Sequence, residues 1–281
     1  MTALRLTPED DLQKIINGLS EPAEIILAEG IYRQKIEIRA DGVKIRGENR
    51  DKTVIAFDDY AKKIHADGKE YNTFRTYTVC VTGENVTLEN LTIENTNTDP
   101  REAGQCVALS VNAKRFFAEN VTLKSMQDTL FLYPFPDDLV VRYDGFIPQK
   151  QLYCEGESLH FFNCCEIYGT VDFIFGCAEA YFLNCKIYSV ADQRNIGFIA
   201  APAHSLKQEH GFTFLNCEMI SDGAEDNTCY LARPWRDFGK CQFLNCRLGK
   251  HVKPELFDKW NDTCRDKTAR FLHFGLEPIL Y

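Results

Sequence analysis

Four segments of the chain share one form, Phe followed by two residues, Cys, any residue and an apolar residue: Phe162 to Ile167, Phe182 to Ile187, Phe214 to Met219 and Phe243 to Leu248. Asn184, Asn216 and Asn245 stand before the cysteine in three of them. Earlier segments carry valine or leucine at the cysteine position, as in Asn85-Val86-Thr87-Leu88, Asn90-Leu91-Thr92-Ile93 and Asn120-Val121-Thr122-Leu123. The spacing is irregular, about 20 to 45 residues, within the range of coiled repeats. Each unit alternates apolar and polar residues over a stretch too short to bury its apolar side alone, so it reads as a β-strand completed by its neighbours. The pattern predicts an all-β chain wound as a parallel β-helix, a solenoid in which equivalent residues stack about 4.8 Å apart. Val, Leu and Cys then point inward while Thr, Lys, Glu and Arg face out. Cys165, Cys185, Cys217 and Cys246 are read as small core hydrophobes, against the competing reading of a redox or metal ladder.

A solenoid needs closed ends, because an open edge strand invites pairing with another chain. Thr7-Pro8-Glu9-Asp10 offers an N-cap, an N1 proline and two first-turn acids ahead of Leu12, Ile15, Ile16 and Leu19 at helical spacing. This predicts an N-terminal capping helix over 8–19, with Gly18 near its end. Pro254 to Thr268 carries Leu256, Phe257 and Trp260 at helix-like spacing, which predicts a second cap and an irregular tail over 250–281. The chain, 1–281, is then expected to form one domain.

Composition narrows the function classes. With 44% apolar residues there is no uninterrupted apolar run near the roughly 20 that span a bilayer, which argues against a membrane partner. Forty-one acids against 32 bases give a net charge of −9, with no basic block to neutralise a row of phosphates, which argues against nucleic acid. Met1 to Asp10 carry no apolar h-region or small-residue cleavage site, so a cytoplasmic location is expected. In a reducing compartment the 12 cysteines read as buried thiols. No CxxC occurs and Cys164-Cys165 has no second pair at zinc-ligand spacing, so no metal site is expected.

Polar clusters interrupt the strand pattern at Gln105-Cys106-Val107-Ala108-Leu109, Gln127-Asp128-Thr129-Leu130, Asp172-Phe173-Ile174-Phe175-Gly176 and Leu231-Ala232-Arg233-Pro234-Trp235. Singly, each has a plain reading as a turn or a packed residue. Together, and with Gly30-Ile31-Tyr32 and Gln34 upstream, their order resembles the motif set of the pectin methylesterases, carbohydrate esterases built on a right-handed parallel β-helix. The resemblance runs from about Ile15 to Trp235, with a weaker tail to Gly275. It implies hydrolysis of methyl esters on galacturonate residues of pectin or oligogalacturonides, without metal or organic cofactor. Three positions depart from the family pattern: Gln34 replaces the usual Glu, Cys106 the usual Ala, and Ala232 the usual Gly.

By the same resemblance Asp172 is the nucleophile and Asp128 the general acid and base, and the chemistry agrees. Ester hydrolysis needs a nucleophile, a proton for the leaving alkoxide and donors for the oxyanion. Asp128 must start protonated, its pKa raised by burial among Phe131, Phe173 and Phe175 and by a second carboxylate. Arg233 can hold Asp172 ionised through two parallel bonds. Gln127 and Gln105 offer amide N–H groups to the oxyanion. Trp235, by resemblance, gives a flat face to a sugar ring, and Phe131, Phe173 and Arg233 complete the expected substrate contacts.

Forty-four positions separate Asp128 from Asp172, and the proline-rich, aromatic stretch 133–150 looks inserted. Placed directly after the acid, it is expected to wall one end of a cleft and to favour short or terminal substrates. The alternatives are a β-helix lyase or glycosidase acting on polygalacturonate, and a carbohydrate-binding protein without activity. A lyase would need a calcium-binding acid cluster and a basic residue at the abstraction site; Asp58-Asp59 and Asp137-Asp138 are acidic pairs, but neither sits beside a fitting Lys or Arg in the recognised blocks. A serine hydrolase is disfavoured, since Ser158 lacks the glycine two positions on that a nucleophile elbow carries.

Overall fold

Because each strand buries its apolar side only against the coil before and after it, most strands of this chain pair with the third strand further along, the exceptions lying at the two ends. The computed structural model describes residues 3–19, 22–97, 99–153 and 158–280. Three sheets enclose one core: ten strands from Ala3–Leu6 to Arg270–Phe274, nine from Gly30–Tyr32 to Glu277–Pro278, and seven from Ile36–Ile38 to Cys229–Ala232. The pairing is parallel throughout these sheets, as a parallel β-helix requires.

Register makes the repeat physical. Phe162, Phe182, Phe214 and Phe243 are Cα partners on successive strands, with rings stacked at 4.9, 4.5 and 4.7 Å along an inner column. At the next corner the thiols of Cys185, Cys217 and Cys246 donate to the carbonyls of Phe162, Phe182 and Phe214 at 3.4, 3.2 and 3.5 Å. Cysteine therefore fills a small, fully buried position and reaches one coil back. The corner itself needs a left-handed residue: Asn90, Asn120, Asn184, Asn216 and Asn245 have φ between 51° and 55°. Asparagine tolerates that conformation, and its amide can bond locally. Asn120 donates to the Asn90 side chain at 2.8 Å, and Asn90 to the Gly47 carbonyl at 2.9 Å. Gly275, φ 64°, takes the last such corner, where a Cβ would sit 2.3 Å from the Asn245 amide oxygen.

The four α-helices among the described residues are short: α1 Leu12–Asn17, α2 Pro100–Ala103, α3 Asp137–Tyr143 and α4 Gln149–Leu152. The N-terminal cap is α1, shorter than the expected 8–19. Thr7 donates to the Asp10 carboxylate from its backbone N–H at 2.7 Å and its hydroxyl at 3.1 Å, which closes a separate turn. Asp11 is the N-cap instead, accepting from Lys14 N–H. Gln34 accepts from Leu12 N–H and donates to the Asp10 carbonyl, both at 2.8 Å. A glutamate there could not make the second bond. Leu12 and Ile16 then bury against the first coil.

At the other end the expected helix and irregular tail are replaced. Leu256 and Trp260 have φ of 60° and 68°, which a right-handed helix cannot contain. Phe257 bridges Ala232 and packs between Phe243 and Phe271, after which Arg270–Phe274 and Glu277–Pro278 add strands to two of the sheets. Ala232 is fully buried and is not among the left-handed residues, so no glycine is required there. No described helix is long and apolar enough to cross a membrane.

Candidate active site

The outer face of the seven-stranded sheet carries the polar clusters. Asp128 and Asp172 precede or begin neighbouring strands, Leu130–Leu132 and Val171–Gly176, and both are left-handed, with φ of 63° and 51°. Asp128 N–H donates to the Val171 carbonyl at 3.1 Å, which sets the two acidic segments side by side. The pairing of Val171–Gly176 with the next strand slips between Val171 and Ile174, a bulge that re-aims the side chains beside it. Asp172 stays on the cleft side while Phe173 and Ile174 enter the core. Phe173 lies over Gly169, where an added Cβ would be 2.2 Å from its own.

A cleft of about 650 Å³ results, lined by Gln105, Gln127, Asp128, Asp172 and Trp235 among others. Arg233 completes the set. Its Nε and Nη2 donate to the two oxygens of Asp172, each at 2.7 Å, and both side chains are largely buried. The guanidinium is clamped between rings, 3.7 Å from the centroid of Phe198 and 4.1 Å from that of Trp260. Trp235 is half-buried and meets Phe175 edge-on at 5.7 Å, so part of its surface remains in the cleft.

Burial pushes both aspartates above the ordinary carboxylate range, but the opposing forces differ. At Asp172 the paired bonds and charge of Arg233 pull the pKa back down. At Asp128 the charge of Asp172 adds to burial, outweighing the bond from Gln127 and the charges of Arg233 and Arg194, and the group is held well above its usual range. Both carboxyls are thus shifted upward by burial, Asp128 the more strongly, and Arg233 is in direct contact with Asp172.

The sequence reading missed two residues here. Arg194, in the polar turn after Lys186–Val190, donates to Gln127 Oε1 at 2.8 Å and to Thr170 Oγ1 at 3.1 Å. It is held by Asp192, which also accepts from the Arg194 backbone N–H at 2.6 Å. With Oε1 occupied, the Gln127 amide N–H is left to face Asp128. The available signal was an arginine two positions after an aspartate, where an Asx turn points it back on itself. Trp260 was read as part of an end cap, and nothing local marks it as a cleft residue.

Two expected substrate contacts are corrected. Phe131 and Phe173 are fully buried and offer no surface to a sugar. Phe173 is turned inward by the bulge, and Phe131 is covered by Phe74 and Phe135, at 4.9 and 4.7 Å. The inserted stretch does reach the cleft, through Leu139, Arg142 and Tyr143 of α3. One member of each acidic pair is engaged by cations: Asp59 by Lys35 and Lys63 at 2.5 and 2.7 Å, and Asp138 by Arg236 at 2.6 Å.

A parallel β-helix with two buried aspartates, an arginine and two glutamines at one sheet face defines a class, the β-helix proteins whose polar cleft is centred on carboxylates. Comparison gives the family. The pectinesterase family model matches residues 6–135 and 139–275, and the chain belongs to that family. It is 28% identical over 275 residues to the pectinesterase QRT1 of Arabidopsis thaliana and 29% identical over 266 residues to a pectinesterase of Petunia integrifolia. These matches take in 95% and 92% of the chain but only 64% and 63% of those proteins. Among solved structures, the pectin methylesterase from Yersinia enterocolitica superposes with a TM-score of 0.76 at 26% identity, over 95% of this chain and 88% of that one. A pectin methylesterase in complex with a hexasaccharide shares the fold with a TM-score of 0.82 at 22% identity, over 99% and 90%.

Proposed function

We propose that the protein is a carboxylic ester hydrolase that removes methyl esters from galacturonate residues of pectin or oligogalacturonides. Family membership supports the reaction class, and the paired bonds of Arg233 to Asp172 beside a carboxyl with a raised pKa carry the mechanism. An oxygen of Asp172 attacks the ester carbonyl, with the amides of Gln127 and Gln105 donating to the developing oxyanion. As the C–O bond to the methoxy group breaks, Asp128 gives its proton to the leaving oxygen and methanol departs. Asp128, now a carboxylate, takes a proton from water; the resulting hydroxide oxygen attacks the acyl-aspartate, and the bond to Asp172 breaks. The free uronate leaves and both carboxyls return to their starting states.

Trp235 and Trp260 supply the apolar faces on which a pyranose ring can rest. The reading takes the chain as one functional unit, in support of which parallel pairing runs from Ala3 to Pro278. It also keeps a cytoplasmic location as a proposal, supported by the unpaired state of the described cysteines, nine of them buried and Cys164 and Cys264 exposed, and tested by cell fractionation. The deciding experiment measures methanol released from methyl-esterified oligogalacturonides alongside product length and absorbance of unsaturated uronate. Methanol with intact, saturated chains is expected; chain cleavage would instead place the protein with the lyases or glycosidases.

A further inference from the structure

The inserted stretch is fastened to the two banks of the cleft in unequal ways. On one bank Phe135, Leu139 and Tyr143 join Phe74 and Phe131 in a buried cluster, with Phe74 centred 4.5 Å from Phe135 and 5.2 Å from Tyr143. Tyr143 donates to the Asn72 side chain at 2.7 Å, and Arg75 donates to the Phe146 carbonyl at 3.1 Å while lying 3.6 Å over that ring. Buried apolar area and several bonds make this side permanent. On the other bank α3 is tied by Asp138, which accepts from Arg236 Nε and Nη2 at 3.0 and 2.6 Å. The Asp138 side chain is 60% exposed, the setting in which an ion pair is easily exchanged for water.

Behind that tie lies a second hollow of about 700 Å³, whose walls include Phe135, Asp138, His204 and Lys207. Arg236 and Arg265 line both hollows, so the two abut there. Leu139 and Arg142 face the catalytic side of α3, and Asp137 and Asp138 the other. Divided in this way, the catalytic part has the size of a small-molecule site, about 300–1,000 Å³, rather than of an open groove.

We infer that α3 is a partition across one longer sugar groove, fastened on its releasable side by Asp138 and Arg236, and that it makes the protein select short methyl-esterified oligogalacturonides or chain ends over the interior of a long polymer. The inference rests on the ester-hydrolase reading above. On this reading a stiff polysaccharide seated over Asp172 continues through the second hollow, which abuts the first at Arg236 and Arg265, and displaces the exposed end of α3. An oligomer that ends inside the catalytic hollow displaces nothing. Arg236 holds the Asp138 carboxyl below its usual range, so the fastening survives mild acid.

The test compares methanol release per ester from methylated trigalacturonate and from long-chain pectin, using the wild type, Asp138→Ala and Asp138→Arg. The wild type is expected to favour the trimer by about tenfold. Both variants should keep the trimer rate within about twofold and raise the pectin rate about three- to tenfold, since the tie they remove is an exposed one. The arginine variant repels Arg236 and so opens the partition even if loss of charge alone is too mild. Equal wild-type rates on both substrates, a ratio unmoved in both variants, or parallel loss of both rates would overturn the partition. Methanol from neither substrate removes the esterase reading itself, and the partition with it.

Discussion

The corner between the ten- and nine-stranded sheets and the rim of the seven-stranded sheet use the same unusual backbone conformation for opposite ends. At the corner, left-handed residues with φ of 51° to 55° recur, asparagine in most coils and Cys164 in one, and the amides of Asn90 and Asn120 bond to the coil before. At the rim, Asp128 and Asp172 adopt φ of 63° and 51° once each, and their side chains meet in a cleft instead of along a column. In this solenoid the left-handed residue that repeats holds the winding, while Asp128 and Asp172, which do not repeat, line the cleft. Chemically the two sites differ by one atom, since aspartate is asparagine with an oxygen for the amide nitrogen. That exchange makes the comparison easy to break.

Asp172→Asn should have the largest effect, a loss of about 10⁴-fold or more in methanol release with an unchanged β-sheet circular dichroism spectrum. Retention of a tenth of the activity would move the nucleophile elsewhere. Asp128→Asn is next, at about 10²- to 10⁴-fold, the usual worth of a positioned acid. It should also stabilise the fold in one pH direction. A carboxyl whose folded pKa is raised by burial and by Asp172 stabilises the fold fully below the unfolded value and loses that contribution as pH rises through the folded value. The variant should therefore melt higher than wild type at neutral pH and show no such gain near pH 4; equal gains at both would deny the shift.

Arg194→Met is expected to lower kcat about tenfold with little change in KM, because it frees Gln127 to turn without removing a donor. Recovery in Arg194→Lys and a displaced pH profile in the methionine variant would separate positioning from simple loss of stability. Asn216→Ala sits at the small end. It should cost about 1 kcal/mol, the price of a left-handed residue with a Cβ and no amide, and leave kcat alone, while Asn216→Gly should be nearly neutral. A catalytic loss from this corner would dissolve the division between winding and chemistry.

Much of this was legible in the sequence, for a physical reason. The stacked phenylalanines, the cysteines and the asparagines are repeated because each must satisfy the same local geometry, so Phe182 or Asn184 announces its place through its equivalents. Gln105, Gln127, Asp128, Asp172, Arg233 and Trp235 were legible as short ordered blocks, and the winding brings them to one place. What escaped depends on contacts between distant segments. The bulge that buries Phe173 cannot be seen in an alternating pattern, and α3 forms in a stretch that reads only as loop. The chain after Pro254 looked like a helix because Leu256, Phe257 and Trp260 are suitably spaced, yet its left-handed residues follow from packing against Ala232 and Phe243.

The clamp on Arg233 has a consequence for how the protein comes to life during synthesis. Coils emerging from the ribosome can wind onto those already formed, and Asp128, Asp172 and Arg233 would all be present in a nascent chain nearly forty residues before the last strands, Arg270–Phe274 and Glu277–Pro278, are made. One jaw of that clamp, Trp260, belongs to the stretch that closes the far end of the winding. On the proposed mechanism, an unfinished copy that lacks Trp260 would carry both aspartates and Arg233 without the ring that grips the guanidinium.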